Sequence, residues 1–153
     1  MNDCPTLYVM IGPAGSGKTC AAAMISNAVI CSTDKMREIM FGTAECQDNS
    51  AKVFEEAYKF AEDALCVGFD VVFDATNTTT SARKKLLQRM EGITHKNVAV
   101  FMNTSLDECK RRNANRKRKV PEDVIERQYD QLIKDAGSIP NQFDEIVIVE
   151  GWK

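Results

Sequence analysis

Residues 7–19 read Leu-Tyr-Val-Met-Ile-Gly-Pro-Ala-Gly-Ser-Gly-Lys-Thr. Leu7 to Ile11 form a short apolar run, which predicts a buried strand. Gly12, Pro13, Ala14, Gly15, Ser16, Gly17, Lys18 and Thr19 then fit the pattern Gly-x4-Gly-Lys-[Ser/Thr] without a mismatch. The stretch from Cys20 to Asn27 reads as helix. Strand, glycine loop and helix in that order is the arrangement a phosphate-binding loop requires. The glycines let the backbone adopt conformations closed to other residues. Its N–H groups can then turn inward around a polyphosphate, at the positive end of the next helix. Lys18 would reach the β- and γ-phosphates, and the Thr19 hydroxyl would hold Mg2+. The expected ligand is therefore a nucleoside triphosphate, with ATP and Mg2+ as the working pair.

Working outward, apolar runs alternate with amphipathic stretches. Val29-Ile30-Cys31 predicts a second strand, Phe69 to Asp74 a third, Asn97 to Met102 a fourth and Ile146 to Val149 a fifth. Between them, Val53, Ala57, Phe60, Ala61, Ala64 and Leu65 recur at helical spacing over about 48–66. Gly68 ends that helix. Leu86, Leu87 and Met90 mark another, with Gly92 as its stop. A Thr104-Ser105 cap opens a helix at about Leu106. Pro121 suits a first helical position, and Val124, Ile125, Gln128, Leu132 and Ile133 continue on one face. Strands separated by helices imply an α/β fold: a parallel five-stranded sheet flanked by helices.

The chain has 153 residues, a length that suits one sheet with its covering helices, so we expect a single domain over 1–153. No stretch approaches the length of a membrane span, and no basic region precedes the first apolar run, so neither insertion nor secretion is expected. The six cysteines are scattered without a Cys-x-x-Cys pair, and one His is present. That composition points to reduced thiols in a cytoplasmic protein rather than to a zinc site. His95 falls between a helix and a strand and reads as an exposed loop residue. Net charge is −2, which argues against blanket nucleic-acid binding. Residues 110–119, however, hold seven of the 20 basic residues and no acid. A basic segment on an acidic body suggests a local anion site. We read about 110–122 as a short basic helical lid, broken near Lys117 to Val120, that lowers arginines onto the triphosphate. Arg116 is the first choice for that contact and Arg112 the second.

In a parallel sheet the ligand lies at the carboxyl ends of the strands. After the second strand come Ser32-Thr33-Asp34-Lys35-Met36-Arg37, and after the third Asp74-Ala75-Thr76-Asn77. Asp34 and Arg37 stand three apart and share a helical face. A carboxylate beside a guanidinium can accept a proton while the cation grips an anionic substrate, which is what transfer to an alcohol on a phosphorylated molecule needs. Asp74 is placed to hold Mg2+ through water or to touch the acceptor. Thr76 and Asn77 join Asp34, Arg37 and Asp74 as candidate substrate contacts.

These residues together resemble the polynucleotide 5′-hydroxyl kinase family. The resemblance covers about Thr6 to Val149. It is carried by Gly12 to Thr19, by Asp34-Lys35-Met36-Arg37, by Asp74-Ala75-Thr76-Asn77, and by Arg112-Asn113-Ala114-Asn115-Arg116 followed by Val120-Pro121-Glu122-Asp123-Val124. It implies a P-loop kinase fold, Asp34 as general base on a 5′-hydroxyl, Arg37 on the neighbouring 3′-phosphate, and Arg116 on the ATP phosphates. One departure is clear. The family has Asn-Arg ahead of the Asp, whereas here Cys31-Ser32-Thr33 precede Asp34, so one basic contact is missing.

The reading is an ATP-dependent kinase with an alcohol acceptor, foremost the 5′ end of DNA or RNA. A hydroxymethylated base in DNA or a small-molecule alcohol would use the same chemistry. A nucleotide-binding switch without an acceptor is the alternative of another class. It gives no reason for Asp34 and Arg37 to stand together, and there is no Asn-Lys-x-Asp element for guanine.

Overall fold

The computed structural model describes residues 4–42 and 50–150. Five strands form one sheet: β1 (Thr6–Ile11), β2 (Ala28–Ser32), β3 (Asp70–Asp74), β4 (Lys96–Asn103) and β5 (Glu145–Glu150). Their order is β2-β3-β1-β4-β5, and every pairing is parallel. Helices α1 (Lys18–Ala23), α2 (Thr33–Phe41), α3 (Ser50–Val67), α4 (Thr80–Arg89), α5 (Leu106–Ala114), α6 (Glu122–Asp135) and α7 (Ile139–Gln142) flank it. None of them is long and apolar enough to cross a membrane.

The first apolar run is the central strand, and this explains its composition. Leu7, Val9, Met10 and Ile11 are all fully buried, because helices cover both faces of the sheet. On one face Leu7, Val9 and Ile11 pack with Phe73, Leu65 and Leu86; on the other Met10 packs with Ala22, Val72, Val100 and Met102. Truncating one of these side chains, as in Leu7→Ala, removes about 2–5 kcal/mol.

Topology then positions the polar residues. Strand order places the loops after β1, β2 and β3 side by side. Within it Ser32 pairs in register with Asp74, so α2 starts beside the end of β3. The helix opens on a cap, with the Ser32 hydroxyl accepting from the Lys35 N–H at 3.2 Å.

Several boundaries differ from expectation. The first helix runs Lys18–Ala23 rather than Cys20 to Asn27. It starts earlier because the glycine loop leads straight into it, and it stops early because the chain must turn to reach β2, with Asn27 at φ 61°. The predicted start of the long helix near residue 48 lies outside the described residues, as does Cys46. That helix ends as expected: Gly68 sits at φ 100°, and Phe69 N and Gly68 N donate to Ala64 O and Leu65 O. Pro121 caps α6 instead of opening it. His95 is an exposed residue ahead of β4.

Candidate active site

The residues after β1 form a tight loop. Gly15 and Gly17 have φ of 81° and 96°, a region costly for any residue with a Cβ. Space is equally restrictive, since a Cβ on Gly15 would overlap the Cys109 carbonyl. Four contacts fix the loop from outside. Gly12 N donates to Thr76 O at 3.0 Å, Ala14 N to Gln128 Oε1 at 2.9 Å, Thr104 Oγ1 to Ser16 O at 2.9 Å, and Arg112 Nη1 to Ser16 O at 3.2 Å. Lys18 folds back over the loop and donates from Nζ to Pro13 O at 2.8 Å. Burial pushes its pKa below the usual lysine value, although Asp74 and Asp34 pull the other way.

Thr19 Oγ1 donates to Asp74 Oδ2 at 3.1 Å. Asp74 is buried, and burial raises its carboxyl pKa against the opposing pull of Lys18. Both Lys18 and Asp74 therefore lose more by desolvation than they gain from each other. A pair in that condition is suited to a ligand that brings charge of its own. The two oxygens of Thr19 and Asp74 also fit Mg2+, which takes one or two protein oxygens and completes its shell with water and phosphate. A group of three or more His, Cys, Asp or Glu able to hold a metal is not found among the described residues.

Across the cleft stands Asp34, on the first turn of α2. Arg37 Nη1 donates to its Oδ1 at 3.1 Å, and Arg118 Nη2 donates to its Oδ2 at 2.7 Å. Arg37 is buried, and its Nε has no hydrogen-bond partner among the described residues. Lys18, Thr19, Asp34, Arg37, Asp74 and Arg116 all border one cleft of about 1460 Å3. Arg116 is exposed on the connection between α5 and α6. That connection is closed at its root by Asn113, whose Nδ2 donates to Val120 O at 2.7 Å and whose Oδ1 accepts from Val120 N at 2.9 Å.

The pattern of one protein family, described as AAA domain (AAA_33), matches residues 7–136. The chain belongs to that family. Solved structures similar to this AAA-domain chain include a gluconokinase, a sugar kinase and a shikimate kinase beside proteins of other kinds. A chain of the Pnkp1/Rnl/Hen1 RNA repair complex is 18% identical with a TM-score of 0.79, over 90% of this chain and 47% of that one. A structure of the PezAT chromosomal toxin-antitoxin system of Streptococcus pneumoniae is 17% identical with a TM-score of 0.71, over 96% and 69%. A gluconokinase from Sinorhizobium meliloti 1021 is 20% identical with a TM-score of 0.63, over 97% and 84%. No curated protein sequence matches the chain. At these identities the likeness gives the fold, and the fold is that of the P-loop kinases, as the resemblance implied. The AAA-domain chain spans about half the length of the RNA-repair chain.

Two of the expected site residues also have partners within the AAA-domain chain itself. Asn77 does not face the cleft. It is buried at φ 48°, and its Nδ2 donates to Met10 O at 2.8 Å and Ala75 O at 3.3 Å, so it builds the turn after β3. Arg112 borders the cleft, but its guanidinium also ties α5 to the loop, through Ser16 O and through Glu108 at 3.0 Å. Thr76 borders the cleft and holds the loop through its backbone carbonyl. Sequence reading missed Arg118 and Gln128. Nothing local separates Arg118 from its basic neighbours. Gln128 left a signal, as the one polar side chain in the run Val124, Ile125, Leu132, Ile133 on α6.

Proposed function

We propose that the protein transfers the γ-phosphate of ATP to an alcohol, and that the alcohol is the 5′-hydroxyl of a nucleic-acid end. One observation carries the reading: the Lys18–Thr19 loop and the Asp34–Arg37 pair face a common cleft. The loop amides and Lys18 hold the triphosphate. Thr19 and Asp74 would hold Mg2+, which would neutralise charge on the phosphates. Arg116 closes from the basic lid onto the same phosphates. Asp34 takes the proton of the acceptor hydroxyl as its oxygen bonds to the γ-phosphorus. The bond from that phosphorus to the bridging oxygen of ADP breaks, and ADP leaves. Such a transition state is loose, so positioning and charge neutralisation are the main contributions of the protein. Arg37 holds a phosphate of the acceptor.

The acceptor assignment rests on the resemblance to polynucleotide kinases and on the likeness to a chain of an RNA repair complex. A small-molecule alcohol is the second reading, favoured by the gluconokinase, which matches this chain over most of both lengths. Labelled ATP with single-stranded oligonucleotides tests the choice. Label should pass to a free 5′-hydroxyl and not to a 5′-phosphorylated oligonucleotide. Transfer to sugars or other small alcohols alone would overturn the nucleic-acid assignment.

A further inference from the structure

We infer that Arg83 is a positioning residue for the phosphate loop: from behind the cleft it ties the turn after β3 to α6, the two supports on which the loop rests. The inference builds on the proposed nucleotide site. Arg83 stands on α4, and its side chain is completely buried. Nε donates to Gln142 Oε1 at 2.9 Å and Nη1 to Asn77 O at 2.9 Å. Nη2 donates to Asp135 O at 2.6 Å and to Ser138 Oγ at 3.1 Å. These partners are amide, carbonyl and hydroxyl oxygens, not carboxylates. A buried cation held that way is costly, and an apolar side chain would fill the space at lower cost. What the guanidinium adds is a rigid fork that reaches several segments at once.

Two of those segments hold the loop. Asn77 belongs to the turn whose Thr76 carbonyl accepts from Gly12 N and whose Asp74 accepts from Thr19. Asp135 ends α6, the helix whose Gln128 accepts from Ala14 N. Loop, turn and α6 thus form a triangle. Its first side is Gly12 to Thr76 and its second is Ala14 to Gln128. The third side joins turn to α6. There Thr78 Oγ1 donates to Gln131 Oε1 at 3.1 Å, Thr80 N donates to Asp135 Oδ2 at 2.9 Å, and Arg83 spans the gap from Asn77 to Asp135. With that side slack, turn and helix move apart, and Gly12 and Ala14 are drawn with them. Gln142 is placed differently. It holds Arg83 Nε and the Thr80 carbonyl, on the side away from the loop.

The test compares wild type, Arg83→Lys, Thr78→Val and Gln142→Ala, at a temperature where circular dichroism shows the variants folded. ADP binding is measured by calorimetry and transfer with labelled ATP. Arg83→Lys keeps the charge but spans fewer of these oxygens. It should bind ADP about tenfold more weakly and lose roughly 10^2-fold in kcat/KM. Thr78→Val loosens the same side without disturbing a buried charge, and should weaken ADP binding about threefold. Gln142→Ala should lower the melting temperature, with ADP affinity and kcat/KM within about twofold of wild type. Wild-type ADP affinity in folded Arg83→Lys would reduce Arg83 to a cap on α6 and overturn the inference. Where Arg83→Lys does not fold, wild-type affinity in Thr78→Val overturns it. Equal losses in Gln142→Ala and Arg83→Lys would also overturn it, by tracing them to stability alone. A wild type that binds ADP but transfers phosphate to no alcohol would overturn the proposed reaction, and the ADP affinities would still decide the role of Arg83.

Discussion

The loop side of the cleft is backbone held in place by its neighbours, whereas the Asp34 side is one carboxylate held by two arginine side chains. On the loop side, Gly12, Ala14 and Ser16 are each tied through main-chain atoms to Thr76, Gln128, Thr104 or Arg112. On the other side, Asp34 is half exposed, and its only described hydrogen-bond partners on the carboxylate are Arg37 and Arg118. The first arrangement is preorganised for one kind of ligand, a polyphosphate. The second can exchange partners, which suits a substrate that enters and leaves.

The largest expected effect breaks the Asp34 side. Asp34→Asn should lower kcat by roughly 10^4-fold, the upper range for loss of a general base. Its affinity for ATP should stay near wild type, since the loop is untouched. Equal turnover in that variant would remove Asp34 from the chemistry. Next, Lys18→Ala breaks the loop side. We expect a loss of roughly 10^3-fold in kcat/KM, with weaker ATP binding measured by calorimetry. A variant that kept its ATP affinity would show that the loop binds through its backbone alone.

A smaller effect sharpens the comparison. Gln128→Met takes the acceptor from Ala14 N–H without changing side-chain length. The KM for ATP should rise roughly threefold with kcat nearly constant, as one neutral hydrogen bond implies. A fall in kcat alone would show that α6 acts on the chemical step and not on the loop.

The last prediction concerns stability. Burial raises the Asp74 carboxyl pKa in the folded chain. Between the ordinary carboxylate value and that raised value, the folded protein keeps a proton that the unfolded chain has released. Ligand-free stability should therefore fall as pH rises through this window. Asp74→Asn removes the burden, so its melting temperature without ligand should exceed that of the wild type at neutral pH, while Mg2+-dependent transfer is lost. A lower melting temperature would mean that the pairing with Lys18 outweighs burial.

The contrast also explains what could be read from the sequence. The loop was legible because its eight residues are contiguous, with the strand directly before them and the helix directly after. Asp34, Arg37 and Asp74 were legible because each follows a strand end, and parallel topology brings those ends together. Arg118 was not, because its partner lies 84 residues away and the meeting depends on how α5 and α6 lean over the sheet. Asn77 misled for a different reason. A polar residue after a strand reads as exposed, but here its amide satisfies backbone carbonyls inside a left-handed turn. The short α1 misled because an alanine-rich stretch keeps its helical pattern past the point where the chain has to turn.

Asn113 and Val120 have a consequence for how the two parts of the cleft are connected. By clasping each other they close the intervening residues into a ring, and Arg116 and Arg118 both ride on it. Arg116, exposed beside the cleft, and Arg118, bound to Asp34, therefore sit on one short tether, so the segment that carries a cation toward the phosphate loop also carries one to the carboxylate after β2.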